Sequence, residues 1–220
     1  NASEGQSNVT VQNNIIENVG REQIGGSIAG GILGIDESPG SSPSVNNTIA
    51  ANWMRNFAPY DETAGTQAGN AGIGLAGAFD ATVTNNVTSG VAFGVWLIAQ
   101  GVGDQTISGG SHTGNHRGIV VYPPAPGSGG MDYTVENMTL NGNAEYGITI
   151  FRSGPAALAT GGDVDEPLTA ALNNLTIENT GSFDPDASAI NVSGDALGGL
   201  YSVSVSNSTI SNNDNRGVNA

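Results

Sequence analysis

Four residues near the middle of the chain carry side chains that could act on another molecule: His116, Arg117, Glu145 and Tyr146. An arginine can neutralise a uronate carboxylate, a tyrosine or histidine can take the proton beside it, and a glutamate can partner the base. Together these are the parts of a β-elimination on an acidic polysaccharide. The same four residues also make an ordinary cross-strand cluster in which Arg117 lies over the Tyr146 ring and pairs with Glu145. This second arrangement is the expected one.

Other candidates are weaker. His112 and His116 would share a helix face and suggest a metal, but Ser111-His112-Thr113-Gly114-Asn115-His116 is a Gly-containing turn within a strand pattern, so no zinc site is expected. Asp163, Asp165 and Glu166 supply hard oxygen ligands for a possible calcium ion, as do Asp184 and Asp186, without the spacing of an EF-hand loop. A solvated acidic loop is the expected reading of both, and no cofactor is expected. Asn-x-Ser/Thr sequons begin at Asn1, Asn8, Asn46, Asn86, Asn137, Asn174, Asn191 and Asn207.

The elements that position these residues repeat. One half of the unit is an apolar residue, a polar one, an Asn and then a second short strand. Copies begin at Val11, Val45, Val83, Ile107, Val135, Leu172 and Val205. The other half is a Gly followed by alternating apolar residues, as in Gly72-Ile73-Gly74-Leu75, Gly94-Val95-Trp96-Leu97, Gly118-Ile119-Val120-Val121, Gly147-Ile148-Thr149-Ile150 and Gly217-Val218-Asn219-Ala220. Gly31-Ile32-Leu33-Gly34 and Ala189-Ile190-Asn191-Val192 are variants. The period of two marks short strands, and Gly and Asn mark the turns between them. Seven units of two or three strands follow, with insertions at Asp36–Ser44, Arg55–Asn70, Pro123–Asp132, Ser153–Ala171 and Ser193–Gly199.

A strand this short buries its inner face only if the next unit stacks upon it, ~4.8 Å away, in a parallel sheet. The repeated Asn13, Asn47, Asn85, Asn137, Asn174 and Asn207 are then expected to form an inward ladder of amides. In the Gly-led strands Val95, Leu97, Ile119, Val121, Ile148 and Ile150 take the inward phase, leaving Trp96, Ile98, Val120, Tyr122 and Phe151 outward. That outer stripe is either covered by the insertions from Pro123 and Ser153 or open to a carbohydrate or protein partner. Because Asn137, Asn174 and Asn207 are placed inside, the expected glycan acceptors are Asn1, Asn8, Asn46, Asn86 and Asn191.

These repeats resemble the right-handed parallel β-helix superfamily, the fold of pectate lyases, phage tailspikes and many adhesin-like surface proteins, over about residues 8–220. The resemblance implies an all-β solenoid of seven turns in one domain, residues 1–220. It does not carry a catalytic set with it. The paired Asp and Gly-His-Gly of polygalacturonases and the Arg-x-Pro-x-x-Arg of pectate lyases are absent, and Asp184-Pro185-Asp186-Ala187 departs from the Asp-Pro-His-Glu of alginate epimerases.

Composition narrows the function classes. The 220 residues carry 20 acidic and 5 basic side chains for a net charge of -15. All five basic residues are arginine, and such a chain is repelled by nucleic acid and by anionic lipid. Acidity without lysine also suits high salt, which screens self-repulsion. Cysteine is absent, which excludes disulfides and thiolate chemistry and leaves the compartment open. The longest apolar runs are far shorter than the ~20 residues that cross a bilayer as a helix. Gly217-Val218-Asn219-Ala220 halts within a strand pattern and neither end carries a capping helix. Further turns or a second subunit stacked head to tail are therefore expected, the chain being a segment of a longer solenoid or a stacking subunit. The leading expectation is an extracellular, glycan-bearing scaffold of a surface, adhesin-like or filament-forming protein. A polysaccharide lyase or epimerase and a trimeric tailspike-like receptor-binding protein stand as alternatives.

Overall fold

The computed structural model describes residues 7–19, 29–36, 44–57, 70–77, 79–98, 105–122, 131–151, 167–182, 187–193 and 201–219. Among them the chain is all-β, without helices, and its strand pairings are parallel. The strands form one sheet of twelve and one of seven. The seven-stranded sheet holds the Gly-led strands in the order Arg216–Asn219, Ser188–Ser193, Tyr146–Phe151, Arg117–Val121, Phe93–Ile98, Asn70–Gly77 and Ala29–Asp36. Most of the expected insertions lie outside the described residues.

Each unit sits on the next in register. Val11, Ile49, Val83, Ile107, Val135, Leu172 and Val205 form one column of the large sheet. Ile16, Met54, Thr88, His112, Leu140, Ile177 and Ile210 form a second. Ile32, Ile73, Val95, Ile119, Ile148, Ile190 and Val218 form a column of the small sheet. Except for Val205 and Val218, which are exposed in the last unit, the apolar members of all three feed a single core that also takes Leu97, Val121 and Ile150, in the expected inward phase. At about 25 cal/mol per Å² of apolar surface, this burial is what offsets the ordering of such short strands.

The second unit does not begin at Val45. Strand Ser44–Ala50 carries one residue more than its neighbour between Ser44 and Asn47, and Asn46 takes a left-handed φ of 58° there. The bulge shifts the column to Ile49, and Val45-Asn46-Asn47-Thr48 only imitates the repeat.

Two corners recur in every unit with positive φ. The first is Asn13, Ala51, Asn85, Gly109, Asn137, Asn174 and Asn207, and the second is Asn18, Asn56, Gly90, Gly114, Gly142, Asn179 and Asn212. Left-handed backbone disfavours a Cβ, which Gly lacks, and Asn tolerates it best among the rest. The repeated asparagines are thus corner residues: Asn13, Asn85, Asn137, Asn174 and Asn207 are exposed. The expected inward ladder is corrected accordingly. Among the six residues assigned to it, only Asn47 is buried, and it spans the units by accepting from Val9 N at 2.9 Å and donating to Asp80 O at 3.0 Å.

The inward ladder begins one residue later. Asn14 donates from N and Nδ2 to Asn52 Oδ1 at 3.1 and 2.9 Å, and Asn52 does the same to Asn86 Oδ1 at 3.0 and 3.1 Å. It then changes corner. In the fourth unit Gly110 replaces the Asn, and the amides continue after the second corner, where Val91 N donates to Asn115 Oδ1 at 3.2 Å and Asn115 N to Asn143 Oδ1 at 3.2 Å. Thr180 N closes on Asn213 Oδ1 at 2.9 Å. At the opposite corner of each stretch the residues are apolar or small: Val19, Phe57 and Val91, then Gly110, Met138, Leu175 and Ser208.

Leading each strand of the small sheet is the column Gly31, Gly72, Gly94, Gly118, Gly147, Ala189 and Gly217, set by the pairing of the residues that follow. A Cβ on Gly94 would meet Gly118 O, and one on Gly118 would meet Gly147 O, both far inside contact. The Gly here serves close stacking of backbone on backbone, and no positive φ is involved.

Ala51, at φ 53° and exposed, is the corner residue least suited to its backbone. Ala51→Gly is expected to raise stability by about 1 kcal/mol, the left-handed cost being partly offset by glycine's greater unfolded freedom. A urea midpoint that falls in this variant would show that the left-handed corner is not the constraint on this position.

Candidate functional site

His116, Arg117, Glu145 and Tyr146 do come together. Arg117 and Tyr146 open adjacent strands and face each other in register, with Phe93 as the partner of Arg117 on the other side. His116 and Glu145 precede them, tied to the stack by His116 N to Val91 O at 3.1 Å and Glu145 N to His116 O at 2.9 Å. One carboxylate oxygen, Glu145 Oε2, accepts from Arg117 Nε at 2.5 Å and lies 3.0 Å from His116 Nε2. The Arg117 guanidinium carbon stands 5.7 Å from the Phe93 ring centre, 5.4 Å from Tyr146 and 5.5 Å from Phe151.

The cluster is an interior one. His116, Arg117 and Glu145 are all less than a tenth exposed. Burial pushes the Glu145 carboxyl up. The hydrogen bonds from His116 and Arg117, and their charges, outweigh burial and hold the group below its ordinary value of 4.5. For β-elimination the arginine would have to meet a substrate carboxylate and the base a substrate proton. Here Arg117 is bonded to a carboxylate of its own chain and enclosed by rings, and Glu145 Oε2 already lies against both Arg117 Nε and His116 Nε2. What the arrangement does as it stands is neutralise a buried charge and join neighbouring units.

The outward stripe forms a continuous aromatic layer. Phe93 and Trp96 ring centres lie 4.9 Å apart, Trp96 and Tyr122 5.9 Å, and Tyr122 and Phe151 5.0 Å, the last pair stacked. Trp96 is only 8% exposed and Tyr122 3%, with Phe151 packed against them. Ile98 ends the same strand as Trp96. A glycan or partner reaching Trp96 and Tyr122 would have to displace what covers them. Phe93 and Phe151 link this layer to Arg117, so the stripe and the charge cluster are one buried assembly.

His112 lies elsewhere, in the core. Asn115 Nδ2 donates to Thr88 Oγ1 at 2.9 Å, and the Thr88 hydroxyl shares a second hydrogen bond with His112 Nδ1, 2.8 Å away. Asn143 Nδ2 donates to His112 O at 3.1 Å. Burial lowers the pKa of the imidazole from 6.5 to about 4. The sign of this network in the sequence is a Thr and a His where the other units carry Ile, Met or Leu in the same column. The described residues hold no group of three His, Asp or Glu placed for a metal. Asp163, Asp165, Glu166, Asp184 and Asp186 lie outside the described residues.

The sequons sort differently from expectation. Asn86 is buried, with Nδ2 donating to Ile49 O at 2.8 Å and Thr84 O at 3.1 Å, and Asn191 is buried as well. Neither leaves room for a sugar, so both expected acceptors are corrected. Asn8 and Asn46 are exposed, and Asn1 lies outside the described residues. Compared with protein-family models, with curated proteins and with solved structures, the chain finds no match.

Two acid-sensitive groups follow, with separate pH windows. His112 binds a proton when unfolded but not when folded, so its contribution is full above pH 6.5 and is lost as pH falls toward 4. The loss amounts to about 3 kcal/mol. Replacing Thr88→Val together with His112→Leu should flatten the urea midpoint across that window, and an unchanged slope would refute the assignment. Glu145, held low, contributes above its ordinary 4.5 and loses that contribution as pH drops below it. Glu145→Gln is expected to destabilise the neutral protein by about 3 kcal/mol, because Arg117 is left buried without its countercharge. The variant should also lose the lower acid limb of the stability profile, which is followed by thermal unfolding at stepped pH.

Proposed function

We propose that this chain is part of a right-handed parallel β-helix and that it acts as a non-enzymatic scaffold of an extracellular surface or filament-forming protein. The observation that carries this reading is the state of the His116–Arg117–Glu145 cluster. It is the one constellation among the described residues with the parts for polysaccharide chemistry, and its charges are buried and spent on one another. Support for the β-helix comes from the in-register stacking of seven units in both sheets and from their shared left-handed corners. These are what a continuous winding of the chain would produce. A stack of this kind keeps its groups at fixed spacing along one axis, which is a mechanical rather than a catalytic property.

Incubation of the purified chain with polygalacturonate and with alginate is expected to release no unsaturated uronate. Antibody raised against it is expected to label intact source cells without permeabilisation. Turnover that disappears in Arg117→Ala would sink the scaffold reading in favour of a lyase, and labelling confined to permeabilised cells would remove its extracellular part.

A further inference from the structure

Three of the seven first-corner residues begin sequons, and they occupy consecutive units: Asn137-Met138-Thr139, Asn174-Leu175-Thr176 and Asn207-Ser208-Thr209. All three asparagines are exposed and left-handed, with φ of 57°, 52° and 50°. The threonines are registered too, Thr139 beside Thr176 and Thr176 beside Thr209, on the strand that leaves the corner. In the four earlier units the same place is held by Ile15, Trp53, Val87 and Ser111, and no sequon arises at the corner. Asn8-Val9-Thr10 and Asn46-Asn47-Thr48 make a shorter pair of the same kind, with Thr10 beside Thr48, so this is the longer of the two stacked sets among the sequons placed by the structure.

We propose that Asn137, Asn174 and Asn207 form a column of N-linked glycan acceptors along one edge of the stack. The inference rests on the extracellular part of the reading above. The amide Nδ2 of each Asn attacks C1 of a sugar carried on a lipid pyrophosphate. The new N–C1 bond forms as the C1–O bond breaks, the lipid pyrophosphate leaves, and the amide gives up one proton to the transferring enzyme. The amides project from the corner: Asn174 Nδ2 donates to Asn137 Oδ1 at 2.8 Å and Asn207 Nδ2 to Asn173 Oδ1 at 2.9 Å, both on the exposed surface. One N–H survives glycosylation, so the contact to the neighbouring rung does not have to be lost.

Spacing then limits occupancy. Adjacent rungs of a parallel sheet lie ~4.8 Å apart, so branched glycans on neighbouring rungs compete for the same space. A folded chain is therefore expected to carry sugar on one of the three, or on Asn137 and Asn207 together, rather than on two neighbours.

The test secretes the full chain through a eukaryotic N-glycosylating host and treats the folded fraction with an amide glycosidase in heavy-oxygen water, mapping each released site as labelled Asp. Intact mass counts the glycans per molecule. The expected result is sugar on the column without adjacent pairs, and none on Asn86 or Asn191. Thr176→Ala should free Asn174 and raise joint occupancy of Asn137 and Asn207. Asn174→Gly, which keeps the left-handed corner, should do the same. A bare column, whether or not Asn8 and Asn46 carry sugar, overturns the proposal, and so do three sugars on one folded chain. These outcomes are independent of the uronate assay, which is run on unglycosylated protein, so the column and the scaffold reading can fail separately.

Discussion

The left-handed corner is the constraint on which the rest of this structure depends. A strand of three to six residues has too few hydrogen bonds and too little apolar surface to persist alone. It persists because the backbone turns at the same place in every unit and delivers the next strand in register. Each of the fourteen described first- and second-corner residues has positive φ, and thirteen of them are Asn or Gly. The glycine column that opens the small sheet is the matching constraint on stacking, since a Cβ there would meet the carbonyl of the next unit. Corners and glycines set where the backbone goes, and the apolar columns then have one face left to fill.

The polar residues inside the stack follow from the same geometry. The residue after a corner starts a unit whose backbone N–H cannot reach the usual ladder partner, and an Asn side chain from the next unit supplies the acceptor. Only one corner at a time carries this amide ladder, and the other is packed with Val, Phe, Met or Leu. The change of corner falls between the third and fourth units, where Thr88, His112 and Asn115 enter the core. The buried histidine is thus part of the joint between two ladders, which accounts for a polar ring in a column otherwise built from aliphatic side chains. His116, Arg117 and Glu145 make a comparable joint on the small sheet, where the buried Glu145 carboxylate is matched by the Arg117 guanidinium of the neighbouring strand.

Much of this was legible in the sequence: seven units, two alternating half-repeats, the inward phase of the Gly-led strands and the meeting of Arg117 with Glu145 and Tyr146. The amide ladder was misplaced by one residue because adjacent asparagines such as Asn13-Asn14 and Asn85-Asn86 divide two tasks that composition does not separate. The signal that distinguishes them is Gly109. A glycine standing where the other units have Asn identifies a position chosen for its backbone angle, since glycine has no amide to contribute. Val45 misled for a related reason, because a bulge reproduces the local Asn-Asn-Thr pattern without its register. Burial of the outer aromatic layer was expected as one of two outcomes, because period-two patterning tells which face a residue is on and not what lies over that face.

The corner also ties backbone geometry to surface chemistry. Asn is selected at these positions for tolerating left-handed φ, and the strand that follows favours Thr for its β-branched fit to a pleated surface. Where both preferences are met two residues apart, the fold writes an Asn-x-Thr sequon into its own edge, as it does in the fifth, sixth and seventh units. A repeat architecture thereby converts a conformational preference into an array at strand spacing. The regularity of the array comes from the backbone and its spacing and not from the individual side chains.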